Sequence, residues 1–277
     1  MNNEWRYYNH ALVPNCAPHE EENLFIIEGE KIPFKEYKRA LLARWTTDFD
    51  CGYNTNWWFV ILDKPFNIEN LPARKRYKIN KASKYFDVKL CDPRKYIDDL
   101  YEVTVDAQNS YPKKNKNIIK KEFFNDYIEE ICNKKIIKVY IAFFKETNEV
   151  VGYSIIPTFD NWCELQTQKA KPAYEKYGLN AALLYALITD NSKKLEEGNY
   201  YICDGARNIN HETNFQNYLE ENFGFRKAYC KLHIVYNKKI KWIIKLLFPF
   251  RNIFVKFDSF KRVHLLNSLL KMEEYRR

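Results

Sequence analysis

Two β-rich apolar runs, residues 136–145 (IIKVYIAFFK) and 150–157, stand four residues apart across Glu146-Thr147-Asn148-Glu149. A polar tetrapeptide between two such runs reads as a β-hairpin. Residues 161–168 follow at once and read as a third consecutive strand. Then the pattern changes. Residues 179–195 form a long apolar helix, 199–204 a short buried strand, 210–222 a helix ended by Gly224, and 225–236 a last alternating strand. Upstream, residues 87–91 alternate like a strand and Pro93 opens a helix to Asn109. A lysine-rich break at 113–116 precedes a helix over 118–132. The order across 87–236 is β-α-α-β-β-β-α-β-α-β. Hairpin strands followed by β-α-β units require a mixed sheet, so the fold class is α/β (α+β).

The flanks differ. Residues 1–35 read as irregular, with Pro14, Pro18 and Pro33 as breakers. Residues 36–45 fit a short helix or a strand, and 56–62 (NWWFVIL) a buried strand. Pro72 opens a basic helix to Tyr85, on which Arg74, Lys78, Lys81 and Tyr85 share one face. Three regions result: 1–86 with the basic helix, 87–237 as the mixed-sheet domain, and 238–277 as a basic amphipathic tail.

Charge is concentrated. The net charge of +9 resolves into +6 over residues 72–86, +7 over 238–262, and about −4 over the remainder. Two basic patches on a mildly acidic body suit contact with polyanions at chosen places. Seven widely spaced cysteines without a CxxC pair suit reduced thiols rather than disulfides or zinc. With only 7 glycines, glycine-built phosphate loops are disfavoured, and neither a Walker loop nor a serine elbow occurs. Residues 1–10 lack an apolar signal core, and every apolar run is shorter than a bilayer span. A cytoplasmic protein is expected. His10 and His19, near Glu20, Glu21 and Glu22, match no standard metal spacing, so no metal is expected; His211 falls near a helix start.

The element order resembles the GNAT N-acyltransferase family over about 150 residues. Two motifs carry the likeness: residues 214–225 (NFQNYLEENFGF), similar to the family's late helix-turn-strand, and 178–184 (GLNAALL), similar to its cofactor turn and helix. The basic helix ahead of the domain also resembles the Fem-type aminoacyltransferases, doubled GNAT-like enzymes that extend peptidoglycan bridges. The resemblance implies an acyl-CoA donor such as acetyl-CoA, with aminoacyl-tRNA as the alternative. The acceptor it implies is an amine, on a small molecule or a cell-envelope glycan precursor. It places Gln166, Lys176, Gly178, Leu179, Asn180 and Ala181 at the cofactor. The chain departs from the family pattern at Glu175, where the family carries Arg or Gln; at Asn180, where it carries a small residue; and at Glu220, where it carries a tyrosine. A carboxylate at position 175 repels a pyrophosphate unless it points away.

Acyl transfer to an amine needs a base for the amine proton and a donor for the oxyanion. Glu164 is the only carboxylate in residues 161–168, and alternation puts Trp162, Glu164 and Gln166 on one face. Asp204 ends the strand before the late helix, at the strand end where α/β folds line ligand crevices. Glu164, Asp204 and Tyr218 are the candidate catalytic residues; Arg74, Lys78, Trp162 and Arg207 are the candidate substrate contacts. The alternatives are a catalytically inactive GNAT-like binding protein, or a module that binds RNA or a membrane through its basic segments. The tail over 238–257 (KKIKWIIKLLFPFRNIFVKF) suits the anionic inner leaflet of the cytoplasmic membrane, as a peripheral contact. It equally fits a helix packed on the body with its lysines in water.

Overall fold

A computed structural model describes residues 5–20, 32–111, 118–209 and 214–277. The lysine-rich break at 113–116, Glu21, Glu22 and His211 lie outside the described residues. The strands are β1 (Trp5–Tyr8), β2 (Ala11–Pro14), β3 (Leu42–Thr47), β4 (Trp57–Leu62), β5 (Phe86–Leu90), β6 (Ile137–Phe144), β7 (Glu149–Pro157), β8 (Trp162–Glu164), β9 (Thr167–Ala170), β10 (Tyr201–Ala206) and β11 (Arg226–Tyr236). The helices are α1 (Ala73–Tyr85), α2 (Ile97–Asn109), α3 (Lys121–Cys132), α4 (Leu179–Asp190), α5 (Ser192–Glu197), α6 (Phe215–Phe223), α7 (Lys238–Leu247), α8 (Arg251–Val255) and α9 (Lys261–Arg276).

The chain divides into two compact units, Met1–Val60 with Ala206–Asn214 and Lys227–Arg277, and Ile61–Gly205 with Phe215–Arg226. This division is not the linear one expected. Residues 61–86, expected with the N-terminal region, fall in the second unit, and the tail from 238 falls with the first 60 residues.

In the first unit, residues 5–14 are a hairpin rather than the irregular segment expected. Trp5↔Pro14 through Tyr8↔Ala11 pair antiparallel. The turn residues Asn9 and His10 both hold positive φ, 45° and 65°, which is what a tight two-residue hairpin needs. The proline signal misled because Pro14 is the last residue of β2, beyond Ala11 and Leu12 where β2 pairs with β3. β2 runs parallel to β3, and β3 antiparallel to β11. The C-terminal helices supply Ile244, Leu269, Leu270 and Met272 to a core with Ala11 and Leu42. Glu273, only 3% exposed, accepts from Tyr236 Oη, Arg276 and Arg277, so its buried charge is matched.

The second unit is built on an antiparallel sheet ordered β5-β6-β7-β9. The expected hairpin is present, with Ile137↔Pro157 and Phe144↔Glu149 as its register ends. Successive side chains of β6 serve opposite faces. Val139, Ile141 and Phe143 pack with Leu100 and Val103 of α2 and with Phe124 and Ile128 of α3. On the other face lies α4, whose Leu179, Leu183, Leu184, Leu187 and Ile188 are all buried. A helix apolar around most of its circumference is one enclosed on most sides.

Two glycines let α4 approach. A Cβ on Gly152 would meet Lys169 O at 3.1 Å and both Leu179 Cδ atoms at 3.3 Å. Gly178 sits at φ +89°, and a Cβ there would lie 3.1 Å from Ala82 Cβ on α1. So Gly178 both turns the chain into α4 and admits the basic helix beside it. Gly178→Ala is expected to lower unfolding stability by about 1–3 kcal/mol, read by urea denaturation, from left-handed strain and crowding together.

Candidate active site

The site begins where one expected strand becomes two. β8 pairs parallel with β10 at Tyr201↔Trp162, Ile202↔Cys163 and Cys203↔Glu164. Leu165 N–H then donates to Cys203 O at 2.8 Å, and Gln166 N–H to Glu164 O at 2.9 Å. Past this bend β9 pairs antiparallel with β7, from Ile155↔Thr167 to Gly152↔Ala170. The segment therefore leaves β10 for β7, and the two branches part at Leu165-Gln166.

The bend overturns the expected alternation. Trp162, Glu164 and Gln166 share a face only in an unbroken strand. Instead Gln166 is exposed in the bend, and Trp162 is buried. The Trp162 ring stacks on Phe159 at 4.7 Å and on Tyr201 at 6.0 Å, as core packing rather than as a cleft wall.

Glu164 and Asp204 both lie near the branch. Glu164 is opposite Cys203, and Asp204 is the next residue of β10. Burial, reinforced by the negative charge of Glu164, pushes the Asp204 carboxyl up to about 7. A hydrogen bond from Gln216 Nε2 to Asp204 Oδ2, at 3.3 Å, opposes the shift. A carboxyl poised near neutrality can take a proton from a bound amine at physiological pH.

Gln216 was not singled out in the sequence. The available signal was its spacing: Gln216, Leu219 and Phe223 fall at i, i+3 and i+7 of α6, and all three are buried. A glutamine on a buried face implies a polar partner across from it.

Tyr218 and Arg207 are each engaged in packing of their own. Tyr218 is two residues from Gln216, on a different face of α6, and its ring packs near Phe215 at 6.1 Å and Phe223 at 5.7 Å. Burial alone pushes its hydroxyl up to about 12. Arg207 belongs to the first unit. Its guanidinium lies 4.1 Å from the Trp58 ring centre and 3.6 Å from that of Tyr275, and its Nη1 donates to Asn56 O at 2.6 Å. That side chain is a structural clamp between two rings.

The start of α4 is the third component. Ala182 N–H is the donor that reaches back to Gly178 O, at 3.0 Å, so the N–H groups of Leu179, Asn180 and Ala181 precede the intrahelical ladder. The Asn180 side chain is engaged in a polar chain. Ser154 Oγ donates to Gln168 Oε1 at 3.2 Å, Gln168 Nε2 to Asn180 Oδ1 at 2.9 Å, and Asn180 Nδ2 approaches Glu175 Oε1 at 3.5 Å. Glu175 therefore turns toward the helix start, not away from it. Lys176 Nζ lies over the Tyr177 ring at 4.9 Å, and Tyr177 packs on Tyr85 of α1 at 4.6 Å. On α1, Lys75 is held by the Glu221 carbonyl and Arg76 by Glu69, whereas Arg74 and Lys78 are exposed. Among the described residues no group of three or more His, Cys, Asp or Glu side chains converges to hold a metal.

No family model matches the sequence, and no curated protein matches it. Solved structures do match. FemX aligns with a TM-score of 0.55 at 9% identity, over 87% of this chain and 85% of that one. L-PGS (lysyl-phosphatidylglycerol synthetase) from Bacillus licheniformis aligns with a TM-score of 0.51 at 13% identity, over 84% of this chain and 80% of that one. The fold is thus GNAT-like, of the Fem type.

Asp204 has a folded-state pKa above its unfolded value, so the folded state holds the proton more tightly. Its contribution favours folding at pH below about 4 and is lost as pH rises through about 7. The full difference corresponds to at most roughly 4 kcal/mol, from about three pKa units at 1.36 kcal/mol each. Asp204→Asn is therefore expected to melt higher than the parent at pH 8, with the gap closing toward pH 4. Thermal melts across that range read the effect.

Proposed function

We propose that the protein is an aminoacyltransferase that moves an aminoacyl group from a tRNA ester to an amine acceptor. The observation that carries the reading is the buried Asp204 carboxyl near the branch of β8 and β10, pushed up to about 7 by burial with the Glu164 charge adding to it. A protonated amine is not a nucleophile, and a base with a pKa near 7 removes its proton without itself being locked in either state. Asp204 fills that role, and Glu164 raises its proton affinity. The acceptor class, an amine on a cell-envelope glycan precursor, is the one that the resemblance to the Fem-type aminoacyltransferases implies.

Support for the tRNA donor comes from the start of α4. A CoA pyrophosphate needs bare N–H groups and a positive surround there. Glu175 and Asn180 instead bring a carboxylate and a committed amide to that point. Phosphates are better served along α1, where Arg74 and Lys78 are exposed one turn apart. A row of cations on a helix suits a polynucleotide backbone, with contacts spaced along the chain, more than a single pyrophosphate.

Three measurements test this. Charged tRNA should bind and raise the melting temperature, whereas acetyl-CoA and free CoA should leave it unchanged. Stabilisation by acetyl-CoA without any by charged tRNA overturns the donor assignment. Replacing Arg74 and Lys78 by serine should lower tRNA affinity and reduce the slope of log affinity against log salt by about 2, one per lost phosphate contact. Asp204→Asn should retain tRNA binding but lower kcat/KM for transfer by about 10²–10⁴-fold, and the parent rate should rise with pH through about 7.

A further inference from the structure

The C-terminal segment carries a second surface, independent of the transfer site. α7 is apolar on two opposite sides. Ile244, 2% exposed, packs inward with Ile240 and Leu247 against Leu42 and Leu270. Trp242 and Leu246 point the other way, 72% and 70% exposed. At 100° per residue they stand about 160° around the helix from Ile244, with Lys238, Lys239 and Lys245 on the same outward half. Ordinary packing on the body accounts for the first side and leaves the second unexplained. The apolar outward character continues through Phe250, Ile253, Phe257 and Phe260, all more than half exposed. Eight of the eighteen exposed large apolar side chains among the described residues lie between Trp242 and Phe260. An apolar concentration of this kind marks an interaction surface.

We propose that residues 238–260 dock on an anionic lipid bilayer, lying in its interface. Charge complementarity names this occupant: residues 238–262 carry eight basic residues and one acid. The single acid, Asp258, is bonded to His264 and Asn267 within the tail. Apolar side chains flanked by lysines match the boundary between acyl chains and anionic headgroups. α7 has ten residues, about 15 Å of helix, against roughly 30 Å for a bilayer core. No helix among the described residues is long and apolar enough to cross a membrane. The segment therefore lies on the surface and does not span.

The test is co-sedimentation of the full chain with vesicles of phosphatidylcholine alone or with 30% phosphatidylglycerol (roughly the charge of an anionic leaflet). Binding is expected on the anionic vesicles, weakened by salt, and at least about tenfold weaker on neutral ones. Trp242→Ser with Leu246→Ser should reduce anionic binding by about tenfold or more at an unchanged melting temperature, because neither side chain enters the core. Phe123→Ser, which removes an exposed ring of α3, should change nothing. The proposal is overturned if the parent ignores anionic vesicles or if the double variant binds like the parent. It is equally overturned if those substitutions instead abolish self-association or tRNA binding while vesicle binding is absent.

Discussion

The second unit depends on one backbone constraint: a segment of nine residues, 162–170, must satisfy hydrogen bonds in two places. Its first three residues pair with β10 and its last four with β7. Buried N–H and C=O groups must all find partners, so the segment must bend where it changes neighbour. The bend at Leu165-Gln166 makes the branch, where Glu164 ends β8 and Asp204 follows its register partner Cys203 on β10. Burial of the Asp204 carboxyl penalises its charged form, the Glu164 charge adds to this, and Asp204 holds its proton more tightly as a result.

The same branch positions the rest. β9 presents Gln168 to Asn180, and Ser154 on β7 completes the polar chain, so the sheet fixes the start of α4 by hydrogen bonds as well as by the Leu179–Gly152 contact. Gly178 then admits α1 within contact distance of that start. The aromatic rings of Tyr85, Phe144, Tyr174 and Tyr177 pack between the turn over 172–177, α1 and the sheet end. The exposed cations of α1 are thereby carried on a rigid support.

Element order was legible because it rests on local periodicity. The hairpin of β6 and β7, the apolar α4 and the basic α1 each announce themselves within a dozen residues. Glu164 and Asp204 were each visible as polar residues in apolar strands. Their proximity was not, since it depends on a register between residues 40 apart in sequence. The bend at Gln166 was hidden because residues 161–168 alternate acceptably when read as a single strand. Arg207 is a related case. Its partner Tyr275 is 68 residues away, and nothing local distinguishes a clamped arginine from a ligand contact. At the N-terminus, Asn9 and His10 do what a hairpin turn requires, but proline count outweighed them.

The central claim is that Asp204 holds its proton near neutrality because it is buried, with the charge of Glu164 adding to the shift. Carbon-13 NMR titration of aspartate carboxyls reads this directly, with Asp204→Asn to assign the resonance and Glu164→Gln to remove the neighbouring charge. The account predicts one aspartate titrating near pH 7, absent in Asp204→Asn and shifted to lower pH in Glu164→Gln. If every aspartate titrates below about pH 5, the branch does not create a base and the account is contradicted.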